Sequence, residues 1–341
     1  MIIPVFLPHL GCIDRCIYCN QGYITNVLND DVRSTIKTSL NVNKDAFEVG
    51  LYGGNIFNVD PSLLRTLFEY FKPYKDRITN FRISTKPVPL KEETIDILKS
   101  NNVSIIELGM PAFNSKILRK LNRQHTVDEF LVSFHVLKNE GFDVAIQVMV
   151  GLPDESWSDI KTTSDNIIRL KPYYIRVYPL VVIEDTPLET MFKKGAFVPI
   201  PFGEALDRTT FIYLNALKYN IKTVKIGLTD NNVIKDKIVA GHYHPAFGYL
   251  VRSQAFYLGV KALIDKHAIK GGAVVYLNGR DIPHLVGQKR SNIELFQKAG
   301  INITWQKDDI DEGNFVVQSG HSSFSGNIFD ILEVYKKQEL L

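Results

Sequence analysis

Three closely spaced cysteines constrain this chain more than any other feature. Cys12, Cys16 and Cys19 are the only cysteines in 341 residues, and they lie within eight positions of one another. Soft thiolate ligands favour zinc, copper(I) or iron–sulfur clusters. The spacing Cys-x3-Cys-x2-Cys supplies three ligands, whereas a closed zinc or [4Fe–4S] site uses four. The pattern therefore predicts a metal site near the N-terminus, with a fourth position left to another ligand.

A structural zinc site is the alternative that the motif leaves open. His9 lies three residues before Cys12. Together with the three cysteines it would complete a Cys3His zinc site that merely ties down the N-terminus. Features elsewhere in the chain are needed to choose between this structural zinc site and a catalytic iron–sulfur cluster.

Composition indicates an ordinary globular protein. Hydrophobic residues make up 45% of the chain and charged residues 23%, which fits one large α/β domain or one domain with a smaller companion. No apolar run reaches the roughly eighteen residues of a membrane span, and we expect no signal peptide. Three cysteines cannot form a paired disulfide framework, so we expect a cytoplasmic protein. A net charge of +3 is too small to argue for a nucleic-acid partner.

Strand and helix patterns alternate six times over the first 200 residues. The predicted strands cover residues 2–7, 47–52, 81–85, 103–108, 144–150 and 174–182. Helix signals lie between them, including a capping box formed by Thr126 and Glu129. Such alternation predicts parallel strands with right-handed crossovers, rolled into a full or partial barrel over residues 1–200. The regular alternation of strands and helices ends near residue 200. Residues 201–341 predict a smaller C-terminal α/β domain that is a candidate for substrate binding.

The distinctive residues fall where a parallel barrel places its active site. The cysteines follow the first strand, Gly53-Gly54 follows the second, and Gly151-Leu152-Pro153 follows the fifth. The carboxyl ends of parallel barrel strands form one rim, and the loops there carry the chemistry. This convergence favours an active site over a zinc site that only ties down the N-terminus.

Residues 4–200 resemble the catalytic domain of the radical S-adenosylmethionine (radical SAM) enzymes. They are most like the elongator catalytic subunit and the oxygen-independent coproporphyrinogen oxidase group. The stretches that carry the resemblance are PHLGCIDRCIYCNQ, LYGGN, FRISTKP, IELGMPAFNSKILRKLNR, VMVGLPDES and IRVYPLVVIEDTPL. The resemblance implies a partial (β/α)6 parallel barrel. It also implies that Cys12, Cys16 and Cys19 ligate a [4Fe–4S] cluster whose unique iron is chelated by S-adenosylmethionine.

The same resemblance implies roles for further residues. Tyr18 is expected near the adenine of the cofactor. Gly53 and Gly54 match the family's glycine motif, in which the lack of a side chain lets backbone carbonyls meet the methionyl ammonium. Arg123 falls where coproporphyrinogen oxidases place an arginine for the methionyl carboxylate, a charge-assisted pair.

Polar residues on three predicted strands are weaker candidates for the cofactor site. Ser84, Glu107 and Gln147 lie on the third, fourth and fifth strands, where their side chains would face the ribose or the ammonium. Alternatively, each of them is satisfied by hydrogen bonds within the barrel. Two departures from the family pattern stand out: Asn55 follows the glycine motif, and Gly109-Met110-Pro111 replaces a common Gly-Val-Gln.

The C-terminal part carries one further motif. The stretch from Val286 to Ile293 resembles the glycine loop of KH domains, which clamps a nucleic-acid backbone, although the second glycine is missing. His242 and His244 lie in the loop GHYHPAFG, and we do not assign them as metal ligands.

The function expected from these features is reductive cleavage of S-adenosylmethionine to a 5′-deoxyadenosyl radical, which abstracts hydrogen from a substrate. An RNA or tRNA base is the first candidate substrate, and a small metabolite or tetrapyrrole is the second. We expect a reductant such as flavodoxin or ferredoxin as partner, and no membrane. A metal-containing RNA-binding protein without catalysis is the non-enzymatic alternative. The chain has no room after the barrel for the elongator subunit's acetyltransferase domain, so acetyl-CoA chemistry is not expected.

Overall fold

The computed structural model describes residues 1–25, 32–41, 45–228 and 232–337. The chain divides into two compact units. The first contains Met1–Ile200 and Leu228–Tyr243, and the second contains Pro201–Gly227 and His244–Leu341. The segment Leu228–Tyr243, which the sequence assigned to the C-terminal domain, thus lies with the first unit.

The strands alternate with helices along the first unit and cluster near the end of the second. In chain order they are β1 (Ile2–Phe6), β2 (Phe47–Tyr52), β3 (Ile78–Thr85), β4 (Val103–Gly109), β5 (Asp143–Val150), β6 (Ile175–Pro179), β7 (Val181–Ile183), β8 (Thr223–Ile226), β9 (Ile238–Gly241), β10 (Gly271–Leu277), β11 (Ile301–Lys307), β12 (Asn314–Ser319) and β13 (Ser322–Asn327).

The helices fill the intervals between the strands. They are α1 (Gln21–Thr25), α2 (Val32–Leu40), α3 (Pro61–Glu69), α4 (Glu92–Ser100), α5 (Ser115–Lys120), α6 (Val127–Asn139), α7 (Trp157–Leu170), α8 (Pro187–Lys193), α9 (Phe202–Lys218), α10 (Asn232–Asp236), α11 (Phe247–Lys266), α12 (Ile282–Val286), α13 (Ser291–Lys298) and α14 (Ile331–Lys337). Among those of the described ranges, none is both long enough and apolar enough to cross a membrane.

In the first unit, β1 to β6 form a parallel sheet in which each strand pairs with the next one along the chain. Strand β1 lies at an edge of this sheet, so the barrel is open. On β5, Val144, Ile146 and Val148 are fully buried, while Gln147 and Met149 alternate with them on the opposite face. The predicted α/β fold with a partial parallel barrel is confirmed.

Local capping residues start the helices. The Asp60 side chain accepts a hydrogen bond from Ser62 N, and Pro61 takes the first helical position of α3. Thr126 and Glu129 form the predicted capping box at the start of α6. These caps fix where each helix leaves its strand, and therefore where the loops of the rim run.

The sixth predicted strand is wrong in its extent. It was expected over residues 174–182, but β6 ends at Pro179, which has no N–H to donate to a ladder. The chain continues as β7, which pairs antiparallel with β9. A Cβ on Gly241 would lie 2.9 Å from Leu180 O, so glycine permits this close approach.

The second unit contains a sheet with the strand order β11-β10-β12-β13. Strands β10 and β11 are parallel, and β12 is antiparallel to both of its neighbours, β10 and β13. Helix α12, a short turn at Gln288–Arg290 and helix α13 connect the two parallel strands. The unit is the smaller α/β piece that the sequence predicts.

Candidate active site at the cysteine loop

The cysteine loop, residues 7–20, connects β1 to α1 and lies against the end of β2. Leu7 N donates to Tyr52 O at 2.7 Å, and His9 N donates to Gly53 O at 2.8 Å. Further along both segments, Asn55 N donates to Leu10 O at 2.7 Å. Backbone groups therefore fix the path of the loop at the carboxyl edge of the sheet.

Glycines make this close contact possible. Gly53 has φ +94°, a left-handed conformation that side chains disfavour. A Cβ on Gly54 would lie 2.5 Å from Leu10 O, and one on Gly11 would lie 2.2 Å from Asn55 O. These glycines let the cysteine loop and the β2 loop pack backbone to backbone. The predicted contact of Gly53 and Gly54 with the methionyl ammonium stays a prediction.

Asn55, a departure from the family pattern, has a clear structural role. Its side chain is buried, and its Oδ1 accepts from Thr85 Oγ1 at 2.8 Å and from Lys86 N at 3.3 Å. Lys86 Nζ in turn donates to Asp14 O in the cysteine loop at 2.8 Å. Asn55 and Lys86 thus connect the end of β3 to the loop. Sequence reasoning gave Lys86 no role.

The three thiols differ in their surroundings. Cys16 is buried, whereas Cys12 and Cys19 are partly exposed. Burial raises the pKa of Cys12, and burial together with the neighbouring Cys16 raises that of Cys19 to about 12. Burial also disfavours the Cys16 thiolate, but the positive charges of Arg123 and Lys86 outweigh it and lower the Cys16 pKa. Cys16 is therefore the thiol of the three that ionises most readily.

The donor set fits the cluster that the sequence implies. All three pairs of thiols interact electrostatically, so the sulfurs lie near one another. Within the described ranges, no three His, Cys, Asp or Glu side chains converge on a point that would hold a single metal ion. Thiolates on a cubane bind different irons and need not converge in this way. His9 Nε2, the proposed fourth zinc donor, accepts a hydrogen bond from Gln21 N at 3.2 Å.

Arg123 lies beside Cys16. Its Nη1 donates to Cys16 Sγ at 3.6 Å, and its Nη2 donates to Gly109 O. Its Nε is buried and has no hydrogen-bond partner. The guanidinium therefore lies next to the predicted cluster, and its Nε–H is left without an acceptor.

Tyr18 also lies beside Cys16. Its ring packs against an apolar cluster that includes Ala112, Leu152 and Leu180. Burial and the neighbouring Cys16 thiol, with which its hydroxyl forms a hydrogen bond, raise the pKa of Tyr18 well above its usual value. Its predicted contact with adenine stays a prediction.

Ser84 and Glu107 are connected through hydrogen bonds from Gln147 inside the barrel. Gln147 Nε2 lies 2.9 Å from Ser84 Oγ and 2.7 Å from Glu107 Oε2, and donates to both. Tyr174 donates to Glu107 Oε1 at 2.7 Å, and Arg176 Nη2 donates to the same oxygen at 2.9 Å. These three residues therefore make hydrogen bonds within the barrel, as the alternative interpretation describes. Their contact with the ribose or the ammonium of the cofactor stays a prediction.

This network extends beyond the residues that the sequence singled out. Arg176 Nε lies 2.8 Å from Glu107 Oε2, forming an ion pair with a fully buried carboxylate. Arg82 pairs with Glu48 at 2.6 Å and donates to the Tyr174 hydroxyl at 3.0 Å. The alternation of side chains along β2, β3, β4 and β6 places these groups on the same inner face.

His125 is a buried polar residue that sequence reasoning missed. Its Nε2 has no hydrogen-bond partner. Burial, with the positive charges of Arg123 and Lys86, lowers the pKa of His125 to about 3, so the imidazole is neutral at physiological pH. The spacing Arg123-x-His125 was the available signal, since residues two apart in an extended segment point to the same side.

Comparison with protein families agrees with this site. The model of the radical SAM superfamily matches residues 7–167, and that of the radical SAM C-terminal domain matches residues 172–255. The chain belongs to the radical SAM superfamily. The second match crosses the boundary at residue 200, so radical SAM sequence features extend into the second compact unit.

Several known proteins are similar to this chain in sequence. An uncharacterized protein of Methanocaldococcus jannaschii is 27% identical over 62% of this chain and 63% of its own length. The tRNA uridine(34) acetyltransferase of the same organism is 26% identical over 68% of this chain and 40% of its own length. The heme chaperone HemW of Bacillus subtilis is 24% identical over 54% of this chain and 52% of its own length. The chain thus spans less than two thirds of each of these relatives.

Solved radical SAM structures share the fold. Elp3 from Methanocaldococcus infernus, with an N-terminal deletion, superposes with a TM-score of 0.57 and 20% identity, over 79% of this chain and 64% of its own. Coproporphyrinogen III oxidase (HemN) from Escherichia coli superposes with a TM-score of 0.50 and 17% identity, over 64% of this chain and 52% of its own. The two groups that the sequence resembles are therefore both among its structural neighbours.

Proposed function

We propose that this protein reductively cleaves S-adenosylmethionine at a [4Fe–4S] cluster held by Cys12, Cys16 and Cys19. The resulting 5′-deoxyadenosyl radical would abstract hydrogen from a substrate. The observation that carries the proposal is the cysteine loop itself: three adjacent thiols at the carboxyl edge of a parallel sheet, beside two cations that favour thiolate. When bound, the cluster and S-adenosylmethionine supply the radical chemistry.

The chain's own residues prepare the site for that chemistry. Lys86 and Arg123 place positive charge beside the three thiols, which offsets part of the repulsion among thiolates. Burial of Cys16 keeps water from its sulfur. Arg123 has the fork of donors that suits a methionyl carboxylate. Reductive cleavage also needs an electron, so we propose a reductant such as flavodoxin or ferredoxin as partner.

Formation of 5′-deoxyadenosine tests the proposed reaction. Anaerobically reconstituted protein is incubated with S-adenosylmethionine and dithionite, and the product is measured by mass spectrometry. We expect product from the wild type and none from Cys16→Ala. Wild-type protein that carries about four irons per chain yet forms no product would count against the proposal.

An RNA base is the substrate class that we propose first. One relative is named a tRNA uridine(34) acetyltransferase. The second unit adds an exposed basic turn between α12 and α13. In this turn Arg290 takes the place of the second KH glycine and adopts φ +68°, a conformation that favours glycine. Lys289 precedes it, also with positive φ and also exposed.

Buried contacts support this turn from below. Asn292 Nδ2 donates to Ser253 O at 3.0 Å and to His284 O at 3.1 Å. A Cβ on Gly287 would lie 2.6 Å from Ser291 Oγ, so the turn requires glycine there. Arg290 also lies over the Trp305 ring at 5.6 Å. A rigid turn that presents two cations suits the phosphates of a single strand.

RNA binding at different salt concentrations tests the substrate class. If Lys289 and Arg290 each contact a phosphate, changing both to Gln should flatten the log–log salt slope by about 1.5 units. The matched control is Lys266→Gln with Lys270→Gln, which removes two other exposed charges from the same unit. Identical curves for wild type and the turn variant would reject RNA contact here.

A tetrapyrrole is the second candidate substrate. It is favoured by the similarity to a heme chaperone and to the fold of coproporphyrinogen III oxidase. Should the turn variant bind RNA as the wild type does, titration with a porphyrinogen becomes the next measurement.

A further inference from the structure

Two unpaired polar atoms lie close together in sequence beside the cysteine loop. Arg123 and His125 follow α5 and precede the cap of α6, and each is only 7% exposed. Arg123 Nε and His125 Nε2 have no hydrogen-bond partner. Buried polar atoms are nearly always paired, because leaving one unpaired costs free energy. Two such atoms on one short segment therefore indicate a ligand that the chain itself does not provide.

The charges around these atoms define the ligand. Arg123 is permanently positive, and both it and Lys86 act on His125 electrostatically. This positive field disfavours a cationic group next to His125. An apolar group would leave both atoms unpaired. A carboxylate satisfies them, because its two oxygens accept from the guanidinium N–H and from a neutral imidazole N–H.

We propose that Arg123 and His125 together form a carboxylate subsite, in which His125 Nε2 donates the second hydrogen bond to the methionyl carboxylate of S-adenosylmethionine. The inference rests on the proposed function, since it takes S-adenosylmethionine as the ligand. It adds His125, in the tautomer protonated at Nε2, as a binding residue next to Arg123. Arg123 Nη1 and Nη2 keep their hydrogen bonds to Cys16 and Gly109, and the subsite uses the buried Nε–H, which has no partner in the chain.

A pair of ligands tests this role without an activity assay. Calorimetry compares S-adenosylmethionine with decarboxylated S-adenosylmethionine, which lacks the carboxylate, on cluster-reconstituted protein. His125→Leu should weaken S-adenosylmethionine about tenfold to a hundredfold, the range for a hydrogen bond to a charged group. The decarboxylated ligand should lose less than about twofold, since the missing contact is absent from it already. His125→Gln, whose amide N–H can approach the Nε2 position, should fall between wild type and Leu.

Controls separate the possible failures. His135→Leu, on the exposed face of α6, should change neither affinity. Iron content and circular dichroism check folding, and if His125→Leu does not fold, the same two-ligand comparison on His125→Gln decides. Equal weakening of both ligands, or unchanged affinity for S-adenosylmethionine, overturns the subsite. A wild type that binds neither ligand overturns the proposed function and this inference together.

Discussion

Two buried polar regions of the first unit differ in how far they are satisfied. Around Glu107, both carboxylate oxygens accept from tyrosine, arginine and glutamine side chains on neighbouring strands. Around Cys16, by contrast, Arg123 Nε and His125 Nε2 have no hydrogen-bond partner. Arg176 Nε in the Glu107 network makes no hydrogen bond either, but it lies 2.8 Å from the opposite charge of Glu107 Oε2. The contacts of Glu107 hold neighbouring strands together, whereas donors without a partner beside Cys16 leave hydrogen bonds for a ligand. We therefore expect the barrel interior to contribute mainly to stability and the rim to bind the cofactor.

The largest expected effect lies at the rim. Replacing Cys12, Cys16 or Cys19 by Ala should abolish stable cluster binding, since the chain has no other cysteine to substitute. Iron and sulfide analysis after anaerobic reconstitution measures the loss. Retention of about four irons per chain in any one variant would show that its thiol is not a ligand.

Glu107 provides the matching test in the barrel interior. Glu107→Ala leaves Arg176 buried without its carboxylate, and we expect a loss of about 3–5 kcal/mol in the free energy of unfolding. Urea titration of wild type and variant measures the difference. If the variant kept near-native stability but lost S-adenosylmethionine binding, Glu107 would belong to the cofactor site and not to a structural network.

Arg123 is expected to have a smaller effect, on binding instead of folding. Arg123→Ala should weaken S-adenosylmethionine by about 1.5–3 kcal/mol, the range for a hydrogen bond to a charged group. Arg123→Lys should restore only part of this, because lysine lacks the planar fork. Calorimetry on cluster-loaded protein measures both. Unchanged affinity in the Ala variant would remove Arg123 from the cofactor site.

An exposed ion pair sets the lower end of the scale. Arg65 and Glu93 lie 2.9 Å apart, with more than half of each side chain exposed. Arg65→Ala should change the free energy of unfolding by less than about 1 kcal/mol, because water screens the pair. If Arg65→Ala lowered the free energy of unfolding as much as Glu107→Ala does, solvent exposure would not explain the difference between buried and exposed ion pairs.

The sequence predicts the parts of the fold that depend on local pattern. Strands β1 and β2, the cap of α6 and the position of the cysteine loop follow from apolar runs, capping residues and cysteine spacing. Strand β13 was missed because its sequence, SSFSGN, lacks the apolar alternation of a strand; its partner β12 supplies the pairing instead.

The interior network was out of reach for a different reason. Glu48, Arg82 and Arg176 belong to three strands that are far apart in sequence, and only the strand register brings them together. No local pattern encodes such a meeting. His125 has a local signal in the spacing Arg123-x-His125, but its significance depends on burial beside Arg123 and Lys86, which the spacing does not show.

The backbone contacts of the cysteine loop bear on how a damaged metal centre is restored. The bonds from Leu7 to Tyr52, from His9 to Gly53 and from Asn55 to Leu10 involve neither a thiol nor a metal. A zinc finger unfolds when its ion leaves, because the ion supplies its folding free energy. The bonds that hold this loop are of a different kind, because none of them needs iron. We therefore expect oxidation that strips the irons to leave a folded template, on which a cell rebuilds the centre without synthesising a new chain.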